Sequence, residues 1–189
     1  VIWENVKGVL DKNLRASFFH YLTEMERLGY ENKYAILNAT DFGIPQKRER
    51  IFVVSMFGKN EFEFSKLKPV PTRDIFEFLE EGVSEKYEVR QESMLCYLRG
   101  LPKNKNFKGK LNVIDKYAYT ITTKQVRIPN SGIVDLKNGK YRYLTERECF
   151  RLMGFDEEYF EKLRTVFPER KVMTSSILYK QAGNSIVVN

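Results

Sequence analysis

The sequence predicts an α/β chain in which the edge of a sheet is followed by a small, loop-rich β region. Its first 57 residues alternate strand, helix, strand, turn and strand patterns, which favours a parallel or mixed sheet. Residues 84–141 show little helical periodicity and hold short strand-like runs between glycines and prolines. Pro69 and Pro71 mark the junction between these parts. The predicted divisions are 1–68, 69–143 and 144–189.

The first part begins with Val1-Ile2-Trp3, which predicts a buried strand ending at Glu4-Asn5-Val6. Glu4 then lies where open α/β sheets bind their ligands, outside the carboxyl ends of strands, although a capping acid explains it too. Apolar residues at three- and four-residue intervals predict an amphipathic helix from about Asn13 to Leu28, with Gly29 as its C-terminal stop. Strands are expected at Tyr34–Leu37 and Ile51–Met56.

Two arginines and a glutamine alternate directly before the last of these strands. Alternate residues of an extended segment point to one face, so Gln46, Arg48 and Arg50 are expected on the same side. Two guanidiniums and a carboxamide suit a ligand with carbonyl or phosphate oxygens. A solvated edge strand whose charges discourage aggregation explains the same pattern.

The later part contains several local signals. Asn138-Gly139 between strand-like runs predicts a hairpin, and Thr72 predicts the start of a short helix. Thr145-Glu-Arg-Glu148 predicts a capping box that opens a helix ending at Gly154. A further short helix is expected at Tyr159–Val166. Near the end, Gly183-Asn184-Ser185 predicts a close approach of backbone to another group, or a simple helix cap.

The positive charge is concentrated in the middle of the chain. The net charge is +7, and residues 86–142 hold 13 Lys and Arg against 4 Asp and Glu. A basic middle favours a polyanionic partner such as DNA or RNA, although solvated lysines are common on any surface.

Composition argues against several other classes of protein. No apolar run is long enough to span a bilayer, and Cys96 and Cys149 have no metal-type spacing. We therefore expect a cytoplasmic setting without a membrane or metal partner. Cys149 lies on the apolar face of its predicted helix and is expected to be a core residue. Both ends fall within apolar runs, which suggests a piece of a longer protein.

Four stretches, in this order, resemble those of DNA cytosine-C5 methyltransferases. They are Glu4-Asn5-Val6, Gln46-x-Arg48-x-Arg50, Arg142–Phe155 and Gln181–Ile186. The resemblance spans nearly the whole chain except Phe57 to about Tyr117, where the family varies because this region selects the DNA sequence. It implies the C-terminal strands and helix of a methyltransferase-type Rossmann-like sheet, plus a small target-recognition domain.

The resemblance also implies a chemistry. In this family a cysteine thiolate attacks C6 of a cytosine flipped out of duplex DNA, and S-adenosylmethionine supplies the methyl group for C5. Glu4 matches the acid at N3 of the base, while Arg50 and Arg48 match the pair that holds O2 and positions the thiolate or the backbone. Gln46 begins that motif and is expected to support the loop beside the DNA.

Other site residues follow from the same resemblance. Asn184 and Ser185 match positions near the cofactor. The stretch from Ala118 to Thr123 is similar to the core of the recognition domain, and it and its neighbours are expected to face the DNA. The DNA-facing residues are then Thr120, Thr122, Thr123, Lys124, Gln125 and Arg127.

The chain departs from the family pattern in two places. It has no Pro-Cys step for the nucleophile and no glycine-rich cofactor turn after an N-terminal strand. It therefore carries half of an active site and is expected to be inactive without a missing N-terminal half. The alternatives are a truncated enzyme, a subunit of a split methyltransferase of bacterial or phage type, or a DNA-binding module without catalysis.

Overall fold

The computed structural model describes residues 1–100, 111–126, 129–168 and 174–188, and it has a mixed α/β structure with small sheets. Its strands are, in chain order, β1 (Ile2–Val6), β2 (Tyr30–Asn38), β3 (Gln46–Lys47), β4 (Glu49–Phe57), β5 (Ala118–Tyr119), β6 (Val134–Asp135) and β7 (Tyr141–Arg142). Its α-helices are α1 (Arg15–Arg27), α2 (Glu92–Leu98), α3 (Glu146–Leu152), α4 (Glu157–Val166) and α5 (Ser176–Asn184). The predicted α/β class is confirmed.

The chain forms two compact units. The first unit comprises residues 1–43 and 48–71, and the second comprises residues 44–47 and 72–189. The chain leaves the first unit after Pro71, next to the predicted junction. The finer division of the later residues at 143/144 stays a prediction.

The sheet of the first unit has the strand order β1-β4-β2, with β4 antiparallel to both neighbours. The prediction of a parallel or mixed sheet is therefore wrong for this unit, because the connection from β2 to β4 is only residues 39–48. A parallel pair needs a crossover of about a dozen residues or more. Strands β1 and β2 still run in the same direction, on opposite sides of β4.

Helix α1 covers one face of this sheet. Its buried residues Phe18 and Leu22 form a core with Ile51 and Val53 of β4, and Trp3 stacks on Phe18 at a centroid distance of 5.8 Å. The predicted stop is confirmed, since Gly29 has a φ of 87° that other residues rarely adopt.

The opposite face of the sheet is open, which corrects the prediction of a buried first strand. Ile2 is 76% exposed, Val6 50% and Met56 43%. These residues share a face because Ile2 pairs with Val54 and Val6 with Arg50, at alternate positions of β4. Strand β1 also continues through Glu4 to Val6, so the acid lies within the strand.

The second unit confirms the local signals of the later sequence. Strands β6 and β7 pair antiparallel across the Asn138-Gly139 turn, where Gly139 has a φ of 80°. Thr145 and Glu148 form the predicted capping box at the start of α3. Where a helix was expected after Thr72 there is only a short 3-10 turn, Ile75–Phe78, which the Asp74 side chain caps. Helix α2 was not predicted.

Gly183 of α5 lies directly against the backbone of Thr122 and Thr123, which explains the close approach predicted there. A Cβ at Gly183 would lie 2.5 Å from the carbonyl carbon of Thr122 and 2.5 Å from the nitrogen of Thr123. We expect Gly183→Ala to destabilise the second unit by about 1–3 kcal/mol, because backbone rather than a flexible side chain must move.

Urea unfolding monitored by far-UV circular dichroism checks this prediction. Lys180→Ala is the matched control, since it changes an exposed position of the same helix. Equal unfolding midpoints for Gly183→Ala and Lys180→Ala would contradict the prediction. They would show that the backbone at Thr122 and Thr123 can move away from position 183 without loss of stability.

Candidate active site

Glu4 and Arg50 form an ion pair between neighbouring strands. In the β1–β4 register Glu4 lies opposite Phe52 and Val6 lies opposite Arg50, so Glu4 and Arg50 are diagonal neighbours on one face. Arg50 Nε lies 3.0 Å from Glu4 Oε1, and the two side chains are 15% and 19% exposed. The structure thus brings the predicted acid against one of the two predicted guanidiniums.

Arg48 is 4% exposed and lies within electrostatic reach of this pair. Removal from water lowers the pKa of Arg48 to about 10, the Arg50 cation lowers it too, and the Glu4 carboxylate raises it. Burial also lowers the pKa of Arg50, against the opposing effect of Glu4. At neutral pH two poorly hydrated cations therefore lie near one carboxylate, which suits a carbonyl oxygen that gains negative charge.

Gln46 does not share a face with the two arginines. The extended run is interrupted at Arg48, so Gln46 joins β3 of the second unit, while Arg50 belongs to β4 of the first. Gln46 is 0% exposed; its amide donates to the Leu152 carbonyl at 2.7 Å and accepts from Ile121 N at 3.0 Å. Gln46 therefore supports its loop, as expected, but it does so from within the second unit, where its buried side chain presents no surface to DNA.

The residues predicted to face DNA differ in their exposure to solvent. Lys124 is exposed, and Thr120 and Thr123 are half-buried. Thr122 is half-buried as well, and its Oγ1 is enclosed without a hydrogen-bond partner. Gln125 is 1% exposed and bonds the Thr122 carbonyl and the Ser131 hydroxyl, so it stabilises the loop instead of reaching DNA. Arg127 lies outside the described residues.

The two predicted cofactor residues lie at the end of α5. Asn184 is the exposed last residue of the helix, and Ser185 is its C-cap. The Ser185 hydroxyl donates to the Gln181 carbonyl at 2.7 Å. The cap considered from the sequence was an N-terminal one, whereas Ser185 caps the C-terminus of α5.

Neither cysteine has the character of a nucleophile. Cys149 is fully buried, and burial raises the pKa of its thiol well above the ordinary value. Removal from water and the neighbouring Glu92 raise the pKa of Cys96. A reactive cysteine needs a stabilised thiolate, so both environments are unfavourable.

The comparison with protein families decides what kind of protein this is. The profile of the family described as C-5 cytosine-specific DNA methylase matches residues 1–189. This chain belongs to that family. The roles expected for Glu4, Arg48 and Arg50 within that family stay a prediction.

Curated relatives are type II methyltransferases of bacteria. M2.ScrFI of Lactococcus lactis subsp. cremoris is 39% identical over 197 residues, which cover all of this chain and 51% of that protein. M.MspI of Moraxella sp is 31% identical over 98% of this chain and 42% of that protein. The chain thus spans about half the length of the curated relatives it matches.

Solved structures share the fold. A methyltransferase of Entamoeba histolytica, EhMeth, superposes with a TM-score of 0.70 at 21% identity, over 98% of this chain and 57% of that one. The Dnmt2 methyltransferase of S. pombe superposes with a TM-score of 0.69 at 22% identity, over 98% of this chain and 62% of that one. Together they confirm a methyltransferase-type fold.

The environment of Lys47 was not predicted from the sequence. In the structure the Lys47 ammonium lies over the rings of Tyr117 and Tyr119. The available signal was the Tyr-x-Tyr alternation, which puts two aromatic rings on one face of a strand. Within the described residues there is no cluster of three or more side chains that could hold a metal ion. No helix in the same ranges is long and apolar enough to cross a bilayer.

Proposed function

We propose that this chain is the C-terminal part of a cytosine-C5 methyltransferase that acts on a flipped cytosine in duplex DNA. The observation that carries the proposal is the contact of Glu4 with Arg50 beside the buried Arg48. A module that only binds DNA has no use for a carboxylate among cations, because a carboxylate repels phosphate. Bacterial relatives favour a role in restriction and modification in the cytoplasm.

Attack of the thiolate at C6 of the base moves negative charge towards N3 and O2. Glu4 and Arg50 stabilise this charge. Glu4 takes up a proton from water, which releases Arg50 from their ion pair, and then donates it to N3 as negative charge develops there. Arg50 donates to O2; its five N–H groups are only partly engaged by Glu4 and by the Glu49 carbonyl at 2.8 Å. Arg48, held beside them, adds a second fixed positive charge.

S-adenosylmethionine supplies the methyl group when it is bound. The position of Asn184 and Ser185 fits the margin of its site, because the carbonyl end of a helix favours cationic groups such as an ammonium or a sulfonium. The exposed Asn184 amide offers further hydrogen bonds. We expect the rest of the cofactor site, including the glycine-rich turn, in the N-terminal half that this chain lacks.

The complementary half is the expected partner of the open face of the first unit. Ile2, Val6 and Met56 are exposed on the same face as Glu4 and Arg50. Water-exposed apolar side chains on a sheet favour a covering partner. About half of each curated relative lies beyond the matched region, which is enough chain to provide that cover and the missing cysteine.

A reconstitution experiment tests the proposed function. We expect the 189 residues alone to transfer no methyl group from labelled S-adenosylmethionine to duplex DNA. Adding an N-terminal fragment with the Pro-Cys step and the glycine-rich turn is expected to restore turnover, because the thiolate and both charge-stabilising groups are then present.

The control is the same N-terminal fragment without this chain, which is expected to be inactive. Turnover by the chain alone would refute the division of the active site. A chain that binds duplex DNA but stays inactive in the mixture would be a binding module without catalysis.

A further inference from the structure

Lys47 lies in a cluster with two tyrosines and a second lysine. Its Nζ is 4.9 Å from the ring centroid of Tyr117 and 5.5 Å from that of Tyr119. The Lys116 ammonium lies 5.4 Å from the Tyr117 centroid. We call these four residues the Lys47 cluster. All of them belong to the second unit, and Lys47, Lys116 and Tyr119 are exposed.

The backbone holds this cluster in place. Strands β3 and β5 pair in parallel, with Gln46 opposite Ala118 and Lys47 opposite Tyr119. The Thr120 hydroxyl donates to the Lys47 carbonyl at 2.9 Å, and Tyr119 N donates to the Ser131 carbonyl at 2.8 Å. The rings therefore face Lys47 from a fixed strand, and the lysine needs little further ordering to bind a ligand.

The charge of the cluster is not neutralised within the described part of the chain. Neither Lys47 nor Lys116 forms an ion pair with a carboxylate there, whereas Lys137, Lys140 and Lys162 each do. The nearby Asp115 carboxylate accepts from the backbone nitrogen of Lys116. The tyrosine faces attract the ammoniums but leave their charge available to an anion.

We propose that the Lys47 cluster binds a phosphate of the DNA backbone. Two ammoniums provide the charge, and the hydroxyl of the exposed Tyr119 can donate to phosphate oxygens, which are the usual acceptors in protein–DNA contacts. Such a contact carries no sequence information and positions the duplex. This inference rests on the proposed function, and it adds an anchor directly before Arg48 in the chain.

The contact predicts a change in the salt dependence of binding. In Lys47→Gln we expect the slope of log K against log salt concentration to fall by about 1, because one fewer phosphate is neutralised. The loss is expected to be the same for duplexes of unrelated sequence. Tyr119→Leu is expected to weaken binding with a smaller change in slope, since both lysine charges remain.

Fluorescence anisotropy of labelled duplexes measures this with the full chain, alone and mixed with the N-terminal fragment. Lys162→Gln is the matched control. Lys162 also lies over a tyrosine, 5.8 Å from the Tyr159 centroid, but its charge is paired with Glu158 at 2.7 Å. It is expected to bind with the wild-type slope. Circular dichroism checks that every variant is folded.

The outcomes separate this inference from the proposed function. If the wild-type chain binds duplex and Lys47→Gln keeps its slope, the cluster binds no phosphate and the proposed function is unaffected. A loss confined to one DNA sequence would show base reading and would also overturn the inference. If neither the chain nor the mixture binds any duplex, both proposals are rejected.

Discussion

Glu4→Gln is expected to lower methyl transfer by the reconstituted enzyme by about 10²- to 10⁴-fold, the usual contribution of a positioned acid. The amide keeps the size of the side chain and can still form a hydrogen bond to the base. It cannot deliver a proton to N3 as negative charge develops there. The Glu4–Arg50 ion pair is also lost, so the two arginine cations are left without their carboxylate.

Single-turnover methylation with labelled cofactor isolates the chemical step from DNA binding. Glu49→Gln is the matched control, because Glu49 is the β4 residue directly before Arg50 and its ion pair with Lys7 is about half exposed. That variant is expected to react within a few-fold of wild type. If Glu4→Gln reacts at the wild-type rate, Glu4 is not the acid and the proposed mechanism fails.

Glu148→Gln is expected to destabilise the second unit by about 3–5 kcal/mol, as removal of one partner of a buried ion pair does. Glu148 accepts from both terminal nitrogens of Arg142 at 2.8 Å and from the backbone nitrogens of Glu80 at 2.7 Å and Thr145 at 2.8 Å. The Arg142 and Glu148 side chains are 6% and 0% exposed. The variant therefore leaves a buried guanidinium without its counter-charge.

Urea unfolding monitored by two signals locates the effect. Trp3 is the single tryptophan and belongs to the first unit, so its fluorescence reports that unit, while far-UV circular dichroism reports both. For Glu148→Gln we expect the circular dichroism transition to move to a lower urea concentration than in wild type, while the midpoint of the Trp3 fluorescence changes little. Glu158→Gln, which breaks an exposed pair with Lys162, is the control and is expected to cost a few tenths of a kcal/mol at most.

A second variant tests the cause of the instability. Removing the cation as well, as Arg142→Met with Glu148→Gln, is expected to recover part of the lost stability, because no buried charge is then unpaired and the glutamine oxygen can still accept from the backbone nitrogens of Glu80 and Thr145. If the free energy of unfolding of Glu148→Gln is less than about 1 kcal/mol below that of wild type, the pair is not critical to this unit.

Short-range features were predictable from the sequence. The Gly29 stop, the hairpin at Asn138-Gly139 and the capping box at Thr145 each depend on residues within a few positions of one another. The family was also predictable from four short motifs, and the match of the family profile to residues 1–189 confirms it. Those motifs named Glu4 and Arg50, which the structure brings together.

Long-range pairings decided the rest. Gln46 bonds Ile121 and Leu152, which follow it by 75 and 106 residues, and this separates it from Arg50. The same pairing of β3 with β5 places the tyrosines against Lys47. Alternation within one strand cannot show where the chain changes sheets, because that depends on which distant apolar faces become buried together.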